Sequence, residues 1–280
     1  MSQVLKACDK IQTLKYMHIS LQEIKNTFEK QGYVVLKQFF DPAIAQKIYQ
    51  TIQAVTASPA YNQHILNKEG LLFYSCLYQQ DAFLQEILSS PELTRIIYTL
   101  AGGDVMICWD QMVKKTTGGA EFPWHQDNGY YKLRYPHFQC WIALSPNFVE
   151  NGCIQFIPES HKKGLMKHKL IGNHEVAQGV PENVTPQYIQ AEPGDIVLFS
   201  SLTLHKTGVN TSQIERCAYV VEYMSIYDFD PFIPTPFLQV TEKGKSITRL
   251  RNFYPGWLNP ISMLSQSDLL LQYVWDKLKR

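Results

Sequence analysis

Phe122-Pro123-Trp124-His125-Gln126-Asp127 is the stretch on which the reading of this chain turns. On a strand, His125 and Asp127 stand two positions apart and project from one face. Their aromatic and apolar neighbours put them where a strand leaves the core. An ionised Asp there needs a compensating charge, which a bound cation supplies. A third donor lies downstream: His205 follows the apolar run Gly194-Asp195-Ile196-Val197-Leu198-Phe199 and heads the small polar turn Lys206-Thr207-Gly208. Two imidazoles and one carboxylate make the facial donor set that holds non-haem Fe(II) with coordination positions left open. Taken singly, His205 also suits a hydrogen-bonded core histidine. Arg216 sits 11 residues beyond His205, a separation that a neighbouring antiparallel strand spans. On its apolar strand it either snorkels at the end or offers a planar fork to a carboxylate, with Thr207 adding a hydroxyl.

Outward from that segment, short strands divided by turns run over 105–114, 121–127, 138–145, 153–158, 188–191, 195–200, 204–208 and 215–227. Asn151-Gly152 predicts a hairpin, because both positions adopt positive φ readily. Glu192-Pro193-Gly194-Asp195 is a second turn. The first third reads mostly helical. Ser20 and Glu23 form a capping box before Leu21, Ile24 and Phe28, and Gly32 supplies the stop. Tyr33 to Phe40 reads as a strand. Asp41-Pro42 and Ser90-Pro91 start two further helices. Asp268 to Lys279 predicts a last one, and the Phe-, Pro- and Trp-bearing loop 228–257 is long enough for a lid. The fold expected is therefore mainly β with a helical buttress, a jelly roll of the cupin-like kind. It forms a single domain over 1–280, with helices in 1–104, the jelly-roll core in 105–227, and lid and C-terminal helix in 228–280.

The chain has 280 residues, and 26 Lys+Arg against 25 Asp+Glu leave a net charge of +1. That balance speaks against a nucleic-acid binder or an anionic-membrane binder. No apolar stretch approaches a membrane span, and the N-terminal residues lack the apolar core of a secretory signal. Six scattered cysteines, without a Cys-x-x-Cys pair, read as free buried thiols. A cytoplasmic protein acting on a small molecule is the expectation, and the sequence is silent on its oligomeric state.

His125-Gln-Asp127, Trp141-Ile-Ala-Leu, Glu150-Asn-Gly-Cys-Ile-Gln-Phe-Ile-Pro-Glu-Ser-His161-Lys-Lys-Gly164, Gly194-Asp-Ile-Val-Leu-Phe, His205-Lys-Thr-Gly-Val-Asn and Arg216 occur in one order. Together they resemble the phytanoyl-CoA dioxygenase family. The motifs run from about 105 to 225, and Gly32-Tyr-Val-Val-Leu resembles the family's start. The resemblance implies a double-stranded β-helix that uses Fe(II), 2-oxoglutarate and O2 and releases succinate and CO2. It implies that His125, Asp127 and His205 bind the metal, and that Arg216, helped by Thr207, pairs with the distal carboxylate of 2-oxoglutarate. Gln111, Lys114 and Trp141 resemble positions lining the cosubstrate pocket. Halogenases resembling this family carry a small residue at the carboxylate position, so Asp127 implies hydroxylation. The implied substrate is a small molecule with an unactivated C–H, in the direction of secondary-metabolite tailoring such as an alkaloid of the cylindrospermopsin type.

Asn128, Tyr130, Tyr131, Arg134 and Phe138 follow the metal motif and are candidates for the substrate side, though Tyr and Phe there also suit a core. His161 and His168, in a basic loop, suit a solvated surface better than a second metal or phosphate site. Two rival readings stand beside the hydroxylase. A metal-dependent isomerase or epimerase on a cupin-like barrel would not need Arg216, and a catalytically inactive binding module of the same fold would not need intact metal donors.

Overall fold

In the computed structural model, residues 19–61, 66–131, 133, 135, 137–172, 174–228 and 236–252 are described. The sequence before Ile19 and the expected helix at 268–279 lie outside them.

Helix α1 (Leu21–Gln31) begins as its capping box predicts. The Ser20 hydroxyl accepts from the Glu23 amide at 3.2 Å, and the Glu23 carboxylate accepts from the Ser20 amide at 2.6 Å. Gly32 ends it at φ 87°, and a Cβ there would meet His161 Nδ1 at 2.5 Å. Asp41 caps α2 (Pro42–Ala57) through the Ala43 amide. The short α3 (Ala82–Leu88), which the sequence reading passed over, is capped by Asp81. α4 (Pro91–Ala101) ends at the left-handed Gly102.

The strands are β1 (Tyr33–Leu36), β2 (Leu66–Lys68), β3 (Leu71–Ser75), β4 (Val105–Lys115), β5 (Phe122–His125), β6 (Phe138–Ala143), β7 (Ile154–Phe156) and β8 (His168–Ile171). They continue with β9 (His174–Ala177), β10 (Gln187–Ile189), β11 (Ile196–Ser200), β12 (His205–Thr207), β13 (Arg216–Ser225), β14 (Phe237–Glu242) and β15 (Lys245–Arg251). Among the described residues they build a larger antiparallel sheet, β1-β11-β6-β13-β4-β14-β15, with β3 and β2 extending from β4. A smaller sheet, β10-β7-β12-β5, faces it. This is the jelly roll. Each strand expected from 105 to 227 is present, most with trimmed ends, while β4 runs on to Lys115 and β10 starts at Gln187.

The larger sheet is buried on both faces, and strand alternation divides its residues. Cys140, Ile142, Ile196, Leu198, Tyr219 and Val221 pack with Ile24, Phe28, Ile48, Ile52 and Leu93 of the helices. Trp141, Ala143, Val197, Phe199 and Ala218 point the other way and meet Ile154, Phe156 and Ile189 of the smaller sheet. Each large apolar side chain buried this way contributes roughly 1.5–3 kcal/mol. The helical layer therefore holds one face of the sheet rigid while the other face builds the cavity.

Three expectations change. Asn151-Gly152 does not turn a hairpin, since β6 and β7 belong to different sheets. Asn151 instead ends the 3-10 turn Val149–Asn151, accepting from the Phe148 amide and donating to the Pro146 carbonyl, and the left-handed Gly152 carries the chain across. The stretch expected as a lid contains the hairpin β14–β15, whose Leu238 pairs with Ile107 of β4, so residues 237–251 belong to the sheet. Residues 66–75 form strands where a helical region was expected. Among the described residues no helix is long and apolar enough to cross a membrane.

Candidate active site

β5 and β12 run antiparallel in the smaller sheet, and His125 and His205 are direct cross-strand partners. Their rings lie 4.0 Å apart, centroid to centroid. β5 stops at His125, short of the predicted 127, so Asp127 lies in the turn that enters the short helix α5 (Asn128–Tyr131). The Asp127 carbonyl accepts the Tyr130 amide at 2.9 Å, and its side chain still returns to the His125 side.

Asp127 Oδ1 is 3.6 Å from His125 Nε2, and Oδ2 is 3.7 Å from His205 Nε2. These separations are long for hydrogen bonds. They suit donors sharing one ion, because two atoms bound at ~2.1 Å lie at most ~4.2 Å apart. The ligand atoms of all three residues fall within 4.8 Å of one another. Both imidazoles are oriented from behind: His125 Nδ1 lies 2.8 Å from the Pro123 carbonyl, and His205 Nδ1 lies 3.0 Å from that of Thr203. Donation through Nδ1 leaves each Nε2 lone pair facing Asp127, the arrangement a metal-binding His requires.

The electrostatics agree. Burial, followed by the charge of His125, pushes His205 down to about 4, which keeps it neutral and ready to ligate. Burial works against the Asp127 carboxylate, but the His205 and His125 imidazoles outweigh it and hold Asp127 below its ordinary value. Asp127 Oδ2 is buried without a hydrogen-bond donor. A cation between the three side chains satisfies that oxygen.

Arg216 opens β13 and is 1 % exposed. Its Nε and Nη2 have no hydrogen-bond partner, which is costly for a buried guanidinium. Burial pulls it down to about 10, so the cation persists at neutral pH. Arg216, Thr207, Gln111 and Trp141 line one cavity with the three metal donors. A dry fork beside a candidate metal centre fits the carboxylate of an anionic cosubstrate.

Other expected pocket residues stand elsewhere. Lys114 is an odd number of positions from Gln111 on β4, so it faces away and pairs with Glu215 at 2.7 Å. Phe138 is likewise odd with respect to Trp141 and packs on Phe28 in the helical layer, centroids 5.5 Å apart. The Asn128 side chain accepts the Leu133 amide at 2.9 Å and fixes a loop. Tyr130 stacks edge-on to His125 at 6.1 Å, while its hydroxyl accepts the Glu175 amide, so it flanks the metal donors without lining the cavity. The side chains of Tyr131 and Arg134 lie outside the described residues.

Several residues of the site escaped sequence reading. Gln126, between two metal donors, is fully buried. It donates to the Gly164 and Leu202 carbonyls and accepts from the Met166 amide. His168 accepts the Gln126 amide at 3.1 Å, so it supports the metal turn and is not a solvated loop residue. Phe73 and Leu71 of β3 line the cavity, as does Glu222 of β13. The signal for Glu222 was present, since it lies an even number of residues from Arg216 on the same strand.

Comparison with known proteins places this geometry. The family model described as Phytanoyl-CoA dioxygenase (PhyH) matches residues 28–218. The chain belongs to the phytanoyl-CoA dioxygenase family. Among curated relatives, the methylphosphonate hydroxylase of Gimesia maris is 24% identical over 212 residues, covering 72% of this chain and 80% of that one. The dioxygenase lolE1 of Epichloe uncinata is 26% identical over 148 residues, or 52% of this chain and 57% of that one. Among solved structures, the epimerase SnoN in complex with Fe3+, alpha ketoglutarate and nogalamycin RO superposes with a TM-score of 0.66 at 14% identity. That likeness covers 82% of this chain and 96% of SnoN and concerns the fold. Membership of the PhyH family makes this chain an Fe(II)- and 2-oxoglutarate-dependent oxygenase.

Proposed function

We propose that the protein hydroxylates an unactivated C–H of a small molecule, with His125, Asp127 and His205 as iron ligands and Arg216 and Thr207 as the anchor of 2-oxoglutarate. The observation that carries the reading is the orphaned, buried Arg216 guanidinium in the same cavity as the three donors. Bound Fe(II) with 2-oxoglutarate supplies the activation of O2, with succinate and CO2 as coproducts. The chain's own residues do the rest. The two Nδ1 donations fix the imidazoles, Arg216 orients the cosubstrate by its far carboxylate, and the apolar walls exclude water. Asp127 would supply a carboxylate ligand where a halide would otherwise bind, which favours hydroxylation over halogenation.

Glu222 supports a finer statement. It is a buried carboxylate on the cavity wall, backed by His137 at 3.4 Å. It suits a substrate with a basic nitrogen or several N–H or O–H donors, as in an alkaloid or related secondary metabolite. Free thiols at Cys76, Cys108, Cys140, Cys153 and Cys217 suit a reducing, cytoplasmic setting.

The test is turnover with Fe(II), 2-oxoglutarate and O2 over a panel of nitrogenous metabolites, following succinate and product mass. A product heavier by one oxygen is expected. Substrate-dependent succinate release with a product of unchanged mass would replace hydroxylation by isomerisation. Turnover that does not require 2-oxoglutarate would remove the reading.

A further inference from the structure

Behind the cavity wall lies a second buried basic side chain. Lys115, the last residue of β4, is the cross-strand partner of Arg216 and is fully buried. Gln111, Val113 and Lys115 follow the strand period, so all three share the cavity-side face. The Lys115 ammonium donates to the Ala120 carbonyl at 2.8 Å, to Thr207 Oγ1 at 2.9 Å and to the Gly208 carbonyl. Those three acceptors match the three N–H groups of a protonated lysine. The space is kept open by small residues: a Cβ on Gly152 would lie 2.3 Å from the Gly208 oxygen and 3.1 Å from Lys115 Cδ.

Two consequences follow. Thr207 Oγ1 accepts from Lys115, so its own hydroxyl hydrogen is left to donate, and Thr207 lines the cavity. In addition, two buried basic side chains stand opposite one another on neighbouring strands, and charging both is unfavourable without an anion. Among the described residues, neither makes an ion pair with a carboxylate within 4.0 Å. Burial, followed by the charge of Arg216, draws Lys115 toward its neutral form, and an anion in the cavity reverses that pull.

We propose that Lys115 is a positioning residue for the cosubstrate: it fixes the Thr207 hydroxyl as a donor into the cavity, beside the Arg216 fork, for the distal carboxylate. This rests on the proposed use of Arg216 and Thr207 as the 2-oxoglutarate anchor. The competing account is that Lys115 only pins the loop 116–120 to Gly208. The two differ in which ligand loses affinity. 2-Oxoglutarate carries a distal carboxylate, whereas 2-oxobutyrate chelates through the same 2-oxo acid end and has none.

The experiment measures both affinities anaerobically on the Fe(II)-loaded protein, from the visible charge-transfer band, for wild type, Lys115→Met and Thr207→Val. Removing a charge-assisted bond is expected to raise the 2-oxoglutarate Kd by roughly 10-fold or more in both variants. The 2-oxobutyrate Kd is expected to stay within about 2-fold, the limit of a change in packing. The double variant should lose little beyond the worse single one, because the two residues act through one hydroxyl. Equal losses for both ligands, or an unchanged 2-oxoglutarate Kd in either single variant, would overturn the inference and leave the proposed function standing. If Lys115→Met does not fold, Lys115→Leu takes its place in the same comparison. A wild-type protein that binds neither acid would overturn the proposed function and this inference together.

Discussion

Arg216 and Glu222 stand on one face of β13 and both line the cavity that holds His125, Asp127 and His205. Strand geometry separates them by about 20 Å of chain. A single strand thus gives the cavity a guanidinium and a carboxyl group, the latter raised above its ordinary value by burial.

Replacing Arg216 by Met removes the fork and keeps the volume. Titration with 2-oxoglutarate is expected to show a Kd raised roughly 100-fold, equivalent to about 2.7 kcal/mol. Iron binding should be retained, since the metal donors do not touch Arg216. Unchanged affinity would leave the buried guanidinium without a role.

Glu222→Gln keeps the shape and removes the charge. The substrate KM is expected to rise about 10-fold or more, while the 2-oxoglutarate Kd changes less than about 2-fold. A matching rise in both would mean that Glu222 acts through the fold, by way of His137 and Gln139.

Asp110, on the opposite face of β4, serves stability. Its carboxylate is fully buried and accepts from the Leu77 and Tyr78 amides and from the Tyr219 hydroxyl at 2.5 Å. Asp110→Asn sets an NH2 group against donors, and urea unfolding should show a loss of roughly 2–4 kcal/mol. Iron and 2-oxoglutarate affinities of the folded fraction should not change.

The metal-free protein should weaken in acid. His205 titrates at about 4 when folded, below its ordinary 6.5. A depressed histidine contributes stability that is whole above 6.5 and is lost as pH falls toward 4. Asp127, also held low, adds a loss of the same sign only below its ordinary 3.8, outside that range. Thermal melts of chelator-treated protein from pH 7.5 to pH 5 are expected to show a falling Tm, with a flatter profile for His205→Gln. A Tm that rises on acidification would contradict this.

Much of this architecture is legible in the residues. The capping box at Ser20, the apolar runs of β6, β11 and β13, and the order of His125, Asp127, His205 and Arg216 each carry a local signal strong enough to survive folding. Lys114, which the resemblance puts at the cosubstrate pocket, and Phe138, expected on the substrate side because it follows the metal motif, both stand on the far face by strand parity. Lys115 and His168 could not be read, since their roles depend on Thr207 and Gln126, partners 92 and 42 residues away. Asn151-Gly152 misled because the same left-handed glycine serves a hairpin or a crossing between sheets, and only the pairing of β7 decides.

The most direct measurement is anaerobic addition of 2-oxoglutarate to the Fe(II)-loaded protein. The account predicts a visible charge-transfer band that saturates at one equivalent, is lost in His205→Ala and bleaches on admitting O2 with release of succinate. Stoichiometric iron binding without any band, in a folded wild-type protein, would contradict it.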